Sequence, residues 1–121
     1  MAFKIEFDES TQVVSVIFSR ATNLESKLLA VSEVTQTFSG NERINILVDV
    51  REQVMEMTLG EQDAVGEYLA NHFGLRNARV AVLHKPNFNS NSVIDYIAYK
   101  NGYQLEEFAS FSDAILWLTG D

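Results

Sequence analysis

Apolar and polar positions in this chain switch between a period of two and a period of three to four, with few residues spare at each switch. Phe3, Ile5 and Phe7 alternate with Lys4 and Glu6, the pattern of a strand with one wet face. Asp8-Glu9-Ser10-Thr11 is a short polar turn, so the second strand, Gln12 to Ser19, is expected to return antiparallel as a hairpin. It carries Val14, Val16 and Phe18 on one face and Val13 and Ile17 on the other, as in a strand covered on both sides.

Helical spacing follows. Leu24, Leu28, Val31, Thr35 and Phe38 form one apolar stripe, predicting a first helix from Leu24 to Phe38. Asn23 or Thr22 can cap its start, and Ser39-Gly40-Asn41 supplies residues that leave a helix. Ile44 to Val50 is almost wholly apolar, as a central strand requires. A loop from Glu52 to Met57 then leads to Thr58, where Glu61 three residues on makes a capping-box pattern for a second helix. Its expected inner face is Ala64, Val65, Tyr68, Leu69 and Phe73, with Glu61, Asp63 and Glu67 outward and Gly74 as its stop. Arg79 to Leu83 reads as a short strand that Pro86 cannot extend. A third helix, Val93 to Lys100, starts after Ser92 and closes at Asn101-Gly102. Tyr103 to Phe108 is a last strand, and Ser112 caps a final helix through Leu118.

Two strands followed by alternating helices and strands predict one α/β domain over residues 1–121. Its sheet is mixed and mostly parallel, in the order ββαβαβαβα, with helices mainly on one side. At 121 residues the chain can bury about two thirds of its unfolded surface around a single core. Charge narrows the partners. Nine Lys and Arg against 17 Asp and Glu give a net charge of −8, which repels phosphate backbones and argues against nucleic acid. Between Glu52 and Glu67 the acids Glu52, Glu56, Glu61, Asp63 and Glu67 run with no intervening base, a surface suited to a basic partner. There is no cysteine, so disulfides and thiolate chemistry are excluded and a cytoplasmic setting is expected. No run approaches the roughly 18 apolar residues needed to span a bilayer.

The element order, the strand end Ile46-Leu47-Val48-Asp49-Val50-Arg51 and the closing Phe108-Ala109-Ser110-Phe111-Ser112-Asp113-Ala114-Ile115-Leu116-Trp117-Leu118 resemble the SpoIIAA-like proteins. These are small bacterial stand-alone domains of the STAS and CRAL-TRIO type of fold. The resemblance implies helices packed mainly on one side of a mixed sheet, and a homodimer. In the STAS members a serine at the start of the helix after the central strand is phosphorylated within Asp-Ser-Ser-Gly. The matching stretch here is Met57-Thr58-Leu59-Gly60, which keeps the glycine and one hydroxyl and lacks the acid and the second serine. Thr58 is thus a candidate regulatory hydroxyl, while its pairing with Glu61 also gives it a purely capping role.

Ligands of open α/β sheets favour strand ends. Asp49, Arg51 and His84 come from such ends, with Lys85, Asn91 and Ser92 nearby, and an acid, a guanidinium and an imidazole together could transfer protons. Equally, Asp49 and Arg51 can pair with each other, and His84 can simply end an exposed strand. His72, in the last turn of the second helix, complements the helix dipole. No phosphate loop, metal-ligand spacing or nucleophile elbow is present, so neither a cofactor nor an enzyme is expected. The third helix is apolar on almost every side, leaving Tyr96 or Tyr99 toward solvent or a partner. Met55 and Met57 add adaptable apolar groups.

Two functions are compatible with this pattern. One is a non-catalytic regulatory or protein-interaction module, homodimeric, whose surface includes Met55, Met57, Tyr96 and Tyr99. The other is a small carrier of an apolar, lipid-like ligand held between the second and third helices and the sheet, with Phe73 and Phe88 among its lining. The carrier needs a cavity of a few hundred Å³ or more.

Overall fold

The computed structural model describes residues 3–38, 43–72 and 75–120. In chain order the elements are β1 (Phe3–Asp8), β2 (Val13–Phe18), β3 (Ala21–Thr22), α1 (Leu24–Phe38), β4 (Ile44–Asp49), β5 (Val54–Met55), α2 (Leu59–Asn71), β6 (Ala78–Leu83), α3 (Ser92–Lys100), β7 (Leu105–Phe108) and α4 (Phe111–Thr119). The main sheet runs β1-β2-β4-β6-β7, with β1 antiparallel to β2 and every other pair parallel. This is the mixed, mostly parallel sheet that the periodicity predicts. Within the Glu52–Met57 loop, β5 pairs with β3 in a separate two-stranded sheet, a contact too short to leave a periodic signal.

Side-chain alternation divides the sheet into two packed layers. A row of Phe7, Val14, Ile46, Val80 and Leu105 crosses one face from β1 to β7. Against this face lies the larger core, closed by Ala30 and Val34 of α1 and Ala98 of α3, with Leu69 of α2 beside them. Val13, Leu47, Ala81 and Leu83 face the other way and are covered by Ala114 and Leu118 of α4. Three helices therefore share one side, and α4 holds the other.

The helix faces differ from the expected stripes. In α1 the buried residues are Lys27, Ala30 and Val34, while Leu28 is exposed and Thr35 only half-buried. Leu24, Lys27, Val31, Val34 and Phe38 are spaced as regularly as the stripe read from apolar residues alone, so a polar residue inside the true stripe shifted the reading. In α2 the buried residues are Gln62, Val65 and Gly66, and Ala64 and Tyr68 are exposed. Gly66 sets that rotation. A Cβ there would lie 2.6 Å from the Ile97 Cβ and 2.9 Å from the Ile94 carbonyl, so the absence of a side chain lets α2 and α3 touch.

Caps account for the remaining boundaries. Asn23 Oδ1 accepts from the Ser26 amide at 2.9 Å at the start of α1. Ser110, not Ser112, caps α4, accepting from the Asp113 amide at 3.3 Å. α3 starts at Ser92 behind Asn91, whose side chain is engaged elsewhere. Gly102, at φ +91°, and the Tyr103 amide return to the carbonyls of Tyr99 and Ala98, which delays β7 to Leu105. The helix exits expected at Ser39-Gly40-Asn41 and Gly74, and the packing expected of Phe73, lie outside the described residues.

Candidate functional site

At the ends of β4 and β6 the residues chosen for their chemistry are largely committed to each other. The Arg51 guanidinium forks onto Asp49, Nε to Oδ1 at 3.1 Å and Nη2 to Oδ2 at 2.8 Å, and the Arg51 amide donates to Oδ1 at 3.1 Å. That bond with Asp49 holds the guanidinium still more firmly protonated. His84 Nδ1 lies 2.7 Å from the Lys85 carbonyl oxygen, which can only accept, so Nδ1 carries the proton. No hydrogen bond joins His84 to Asp49 or Arg51 among the described residues. Lys85 reaches Glu52 at 4.0 Å on the surface. The three strand-end groups do not form an acid–base set.

Thr58 occupies the start of α2 as its pattern predicts. Its Oγ1 accepts from the Glu61 amide at 3.1 Å, and Glu61 Oε1 accepts from the Thr58 amide at 2.9 Å. Met57 is buried and Met55 half-buried, in a small cluster with Val65 and Ile94 beneath α2 and α3. Both methionines therefore pack inward. Tyr96 and Tyr99 point away from the core, each 63% exposed. They flank a groove of about 430 Å³ between α3 and the edge strand β7, which Ser92, Asp95, Glu106 and Glu107 complete.

A buried polar cluster that the apolar stripes conceal lies under α1 and α3. Lys27 Nζ donates to Gln53 Oε1 at 2.8 Å and to Asn91 Oδ1 at 2.9 Å, and sits 3.8 Å from the centre of the Phe18 ring. Gln53 Nε2 donates to Ser90 Oγ at 2.9 Å. Asn91 Nδ2 donates to Asp95 Oδ1 at 2.8 Å, and Asn89 Nδ2 donates to Asp95 Oδ2 at 3.0 Å and to Glu107 Oε2 at 2.6 Å. The chain of contacts thus runs from the centre of the molecule to its surface. Lys27, Gln53, Asn91 and Asp95 are all buried.

Burial dominates the electrostatics. It lowers Lys27 to about 7, against the opposing charge of Asp95. It raises Asp95 to about 8, helped by a hydrogen bond with Glu107 and opposed by the amides of Asn89 and Asn91. Two amide oxygens and a ring face meet the three N–H bonds of an ammonium, which offsets part of the effect of burial. Beside the cluster is a cavity of about 70 Å³, lined mainly by aliphatic side chains such as Val16, Val34, Ile46 and Val80. The Tyr103 hydroxyl borders it, buried and without a protein hydrogen-bond partner. Such a volume holds a few waters at most. The signal for this cluster was present in the sequence as two charged residues inside apolar helix faces, Lys27 and Asp95.

Among the described residues no group of three or more His, Asp or Glu is placed to hold a metal ion, and no helix is long and apolar enough to cross a membrane. No protein-family model matches the sequence, and no curated protein does. In structure the chain is similar to an uncharacterised protein of the DUF3478 family from Shewanella loihica PV-4, described as having a SpoIIAA-like fold. The TM-score is 0.62 and the identity 17%, over 97% of this chain and 92% of that one. At that identity the likeness speaks for the fold alone. The chain has a SpoIIAA-like fold, as the element order and the strand-end and C-terminal sequences imply.

Proposed function

We propose that this chain is a non-catalytic regulatory module that works by binding protein, and that it self-associates as a homodimer through the outer face of α3. The observation that carries this reading is the pair Tyr96 and Tyr99, nearly one helical turn apart and each 63% exposed on a helix whose opposite face is buried. Tyrosine buries a large ring at small entropic cost and keeps a polar tip, which suits a docking surface. The neighbouring groove adds acidic groups at its margin. A cytoplasmic setting belongs to the proposal and rests on the cysteine-free composition. Thr58 remains its candidate regulatory hydroxyl, exposed at a helix N-terminus where a phosphate would be favoured, although modification would compete with the capping box.

Carriage of an apolar ligand is the weaker reading. A cavity of about 70 Å³ falls short of the few hundred Å³ such a ligand occupies. Size-exclusion chromatography with light scattering at low micromolar concentration tests the proposal. The expected mass is twice the 13.6 kDa of one chain, and Tyr96→Glu is expected to yield monomers with an unchanged melting temperature. A wild-type protein that stays monomeric on concentration overturns self-association.

A further inference from the structure

Glu107 is an acid held in position at the surface. Asn89 Nδ2 donates to its Oε2 at 2.6 Å and to the buried Asp95 Oδ2 at 3.0 Å, which ties Glu107 to the interior. Among the described residues no Lys or Arg lies within 4.0 Å of Glu107 or of its neighbour Glu106. At the far end of α3 stands the complementary charge. Lys100 is exposed, its Nζ 5.8 Å from the Tyr96 ring centre, with no carboxylate within 4.0 Å among the described residues. Acid and base therefore lie near opposite ends of α3, Glu107 on β7 beside its start and Lys100 as its last residue, with two exposed tyrosines between them.

That arrangement is self-complementary. A two-fold axis between two antiparallel α3 helices, level with Tyr96, places position 100 of one copy opposite position 92 of the other, because both are four residues from the centre. Ser92 and Glu107 line the same groove. We propose that two copies pair α3 against α3 in antiparallel register about Tyr96, and that each copy's Lys100 completes the other's groove by pairing with Glu107. This inference rests on the self-association reading and names the residue that the second copy contributes. Pairing through the β7 edges is disfavoured, since it would bring Glu106 and Glu107 of both copies together. A nine-residue helix covers less than the roughly 800 Å² per partner of a standard interface, so the two charge pairs weigh heavily in whether the dimer forms.

The test is charge reversal followed by mixing, read by analytical ultracentrifugation of the full chain. Lys100→Glu and Glu107→Lys each place like charges opposite one another twice, and each alone should weaken dimerisation roughly tenfold or more. A one-to-one mixture of the two variants forms a heterodimer in which both pairs are again attractive, so mixing should restore the dimer. Raising salt should weaken the wild-type dimer and the mixed dimer alike. Glu107→Gln, which keeps an acceptor for Asn89, serves as the milder variant if Glu107→Lys disturbs the fold, and thermal melts of each variant check that. A wild-type dimer indifferent to both reversals overturns this register while leaving self-association standing. A wild-type monomer at every concentration overturns both.

Discussion

Two polar groups in this molecule look equally chemical on paper and behave in opposite ways. Asp49 and Arg51 stand at a strand end, the guanidinium side chain 47% exposed, and close on each other in a bidentate pair. Lys27, Gln53, Asn91 and Asp95 are buried under α1 and α3, where their hydrogen bonds are made to protein groups in place of water. The Asp49 side chain is itself only 13% exposed, but solvent reaches the guanidinium side of the pair and takes the place of a lost partner there, so breaking it forfeits less. A buried cluster leaves unpaired groups behind, and their desolvation is the dominant cost. The comparison separates residues that are chemically conspicuous from residues on which the fold depends.

The hardest test of that contrast is Lys27→Ala. It leaves the oxygens of Gln53 and Asn91 unpaired and facing an enlarged apolar cavity, so a loss of about 3–5 kcal/mol is expected. Urea unfolding followed by circular dichroism reads this directly. A cost below about 1 kcal/mol would mean that water reaches the cluster freely, and the distinction between the two groups would collapse.

The same contrast has a pH signature. Asp95 in the folded chain titrates at about 8, above the ordinary carboxylate range, so the folded state holds this proton more tightly than the unfolded state. Its contribution is complete below about pH 4 and is lost as pH rises through about 8. Lys27, lowered to about 7, acts in the opposite sense: between about 7 and 10.5 the unfolded chain binds more protons, and stability rises with pH. Stability should therefore fall from mildly acidic pH toward 7, flatten between about 7 and 8, and recover above that. Asp95→Asn should remove the falling limb. At pH 6 it should cost only about 1–2 kcal/mol, because an amide can still donate to Glu107 and loses only one acceptor. Unfolding free energies at half-unit pH intervals decide it. A variant that keeps the falling limb would show that Asp95 is already ionised in the folded protein.

Legibility followed the physics of each feature. The sheet could be read because Ile44 to Val50 and Val14, Val16 and Phe18 carry their burial in residue type, and strands have a period of two that one polar residue cannot shift. The capping box at Thr58 and Glu61 was equally plain, since it is a local hydrogen-bond pattern. Helix faces were less so. Leu28 and Lys27 adjoin on α1, and only the partners that Gln53 and Asn91 supply from 26 and 64 residues away decide which is buried. Asp95 was hidden likewise, its neutral form sustained by Glu107 on another element. Tyr96 and Tyr99 were visible as an excess of apolar surface on one helix, although the groove beside them required the edge strand β7.

At the small end of the scale is Arg51→Ala. The bidentate geometry is good, and the guanidinium also braces the turn in which the Arg51 amide donates to Asp49. Water replaces the lost partner on the exposed side, however, and the backbone bond to Asp49 does not depend on the side chain. The expected loss is about 0.5 kcal/mol and should shrink further in high salt. A double-mutant cycle with Asp49→Asn isolates the pair itself, provided each variant keeps the turn. A coupling above about 2 kcal/mol would place Asp49 and Arg51 beside the buried cluster in importance and would show that exposure understates how firmly this strand end is held. A coupling near zero would mark the pair as conspicuous in chemistry and nearly neutral for the fold.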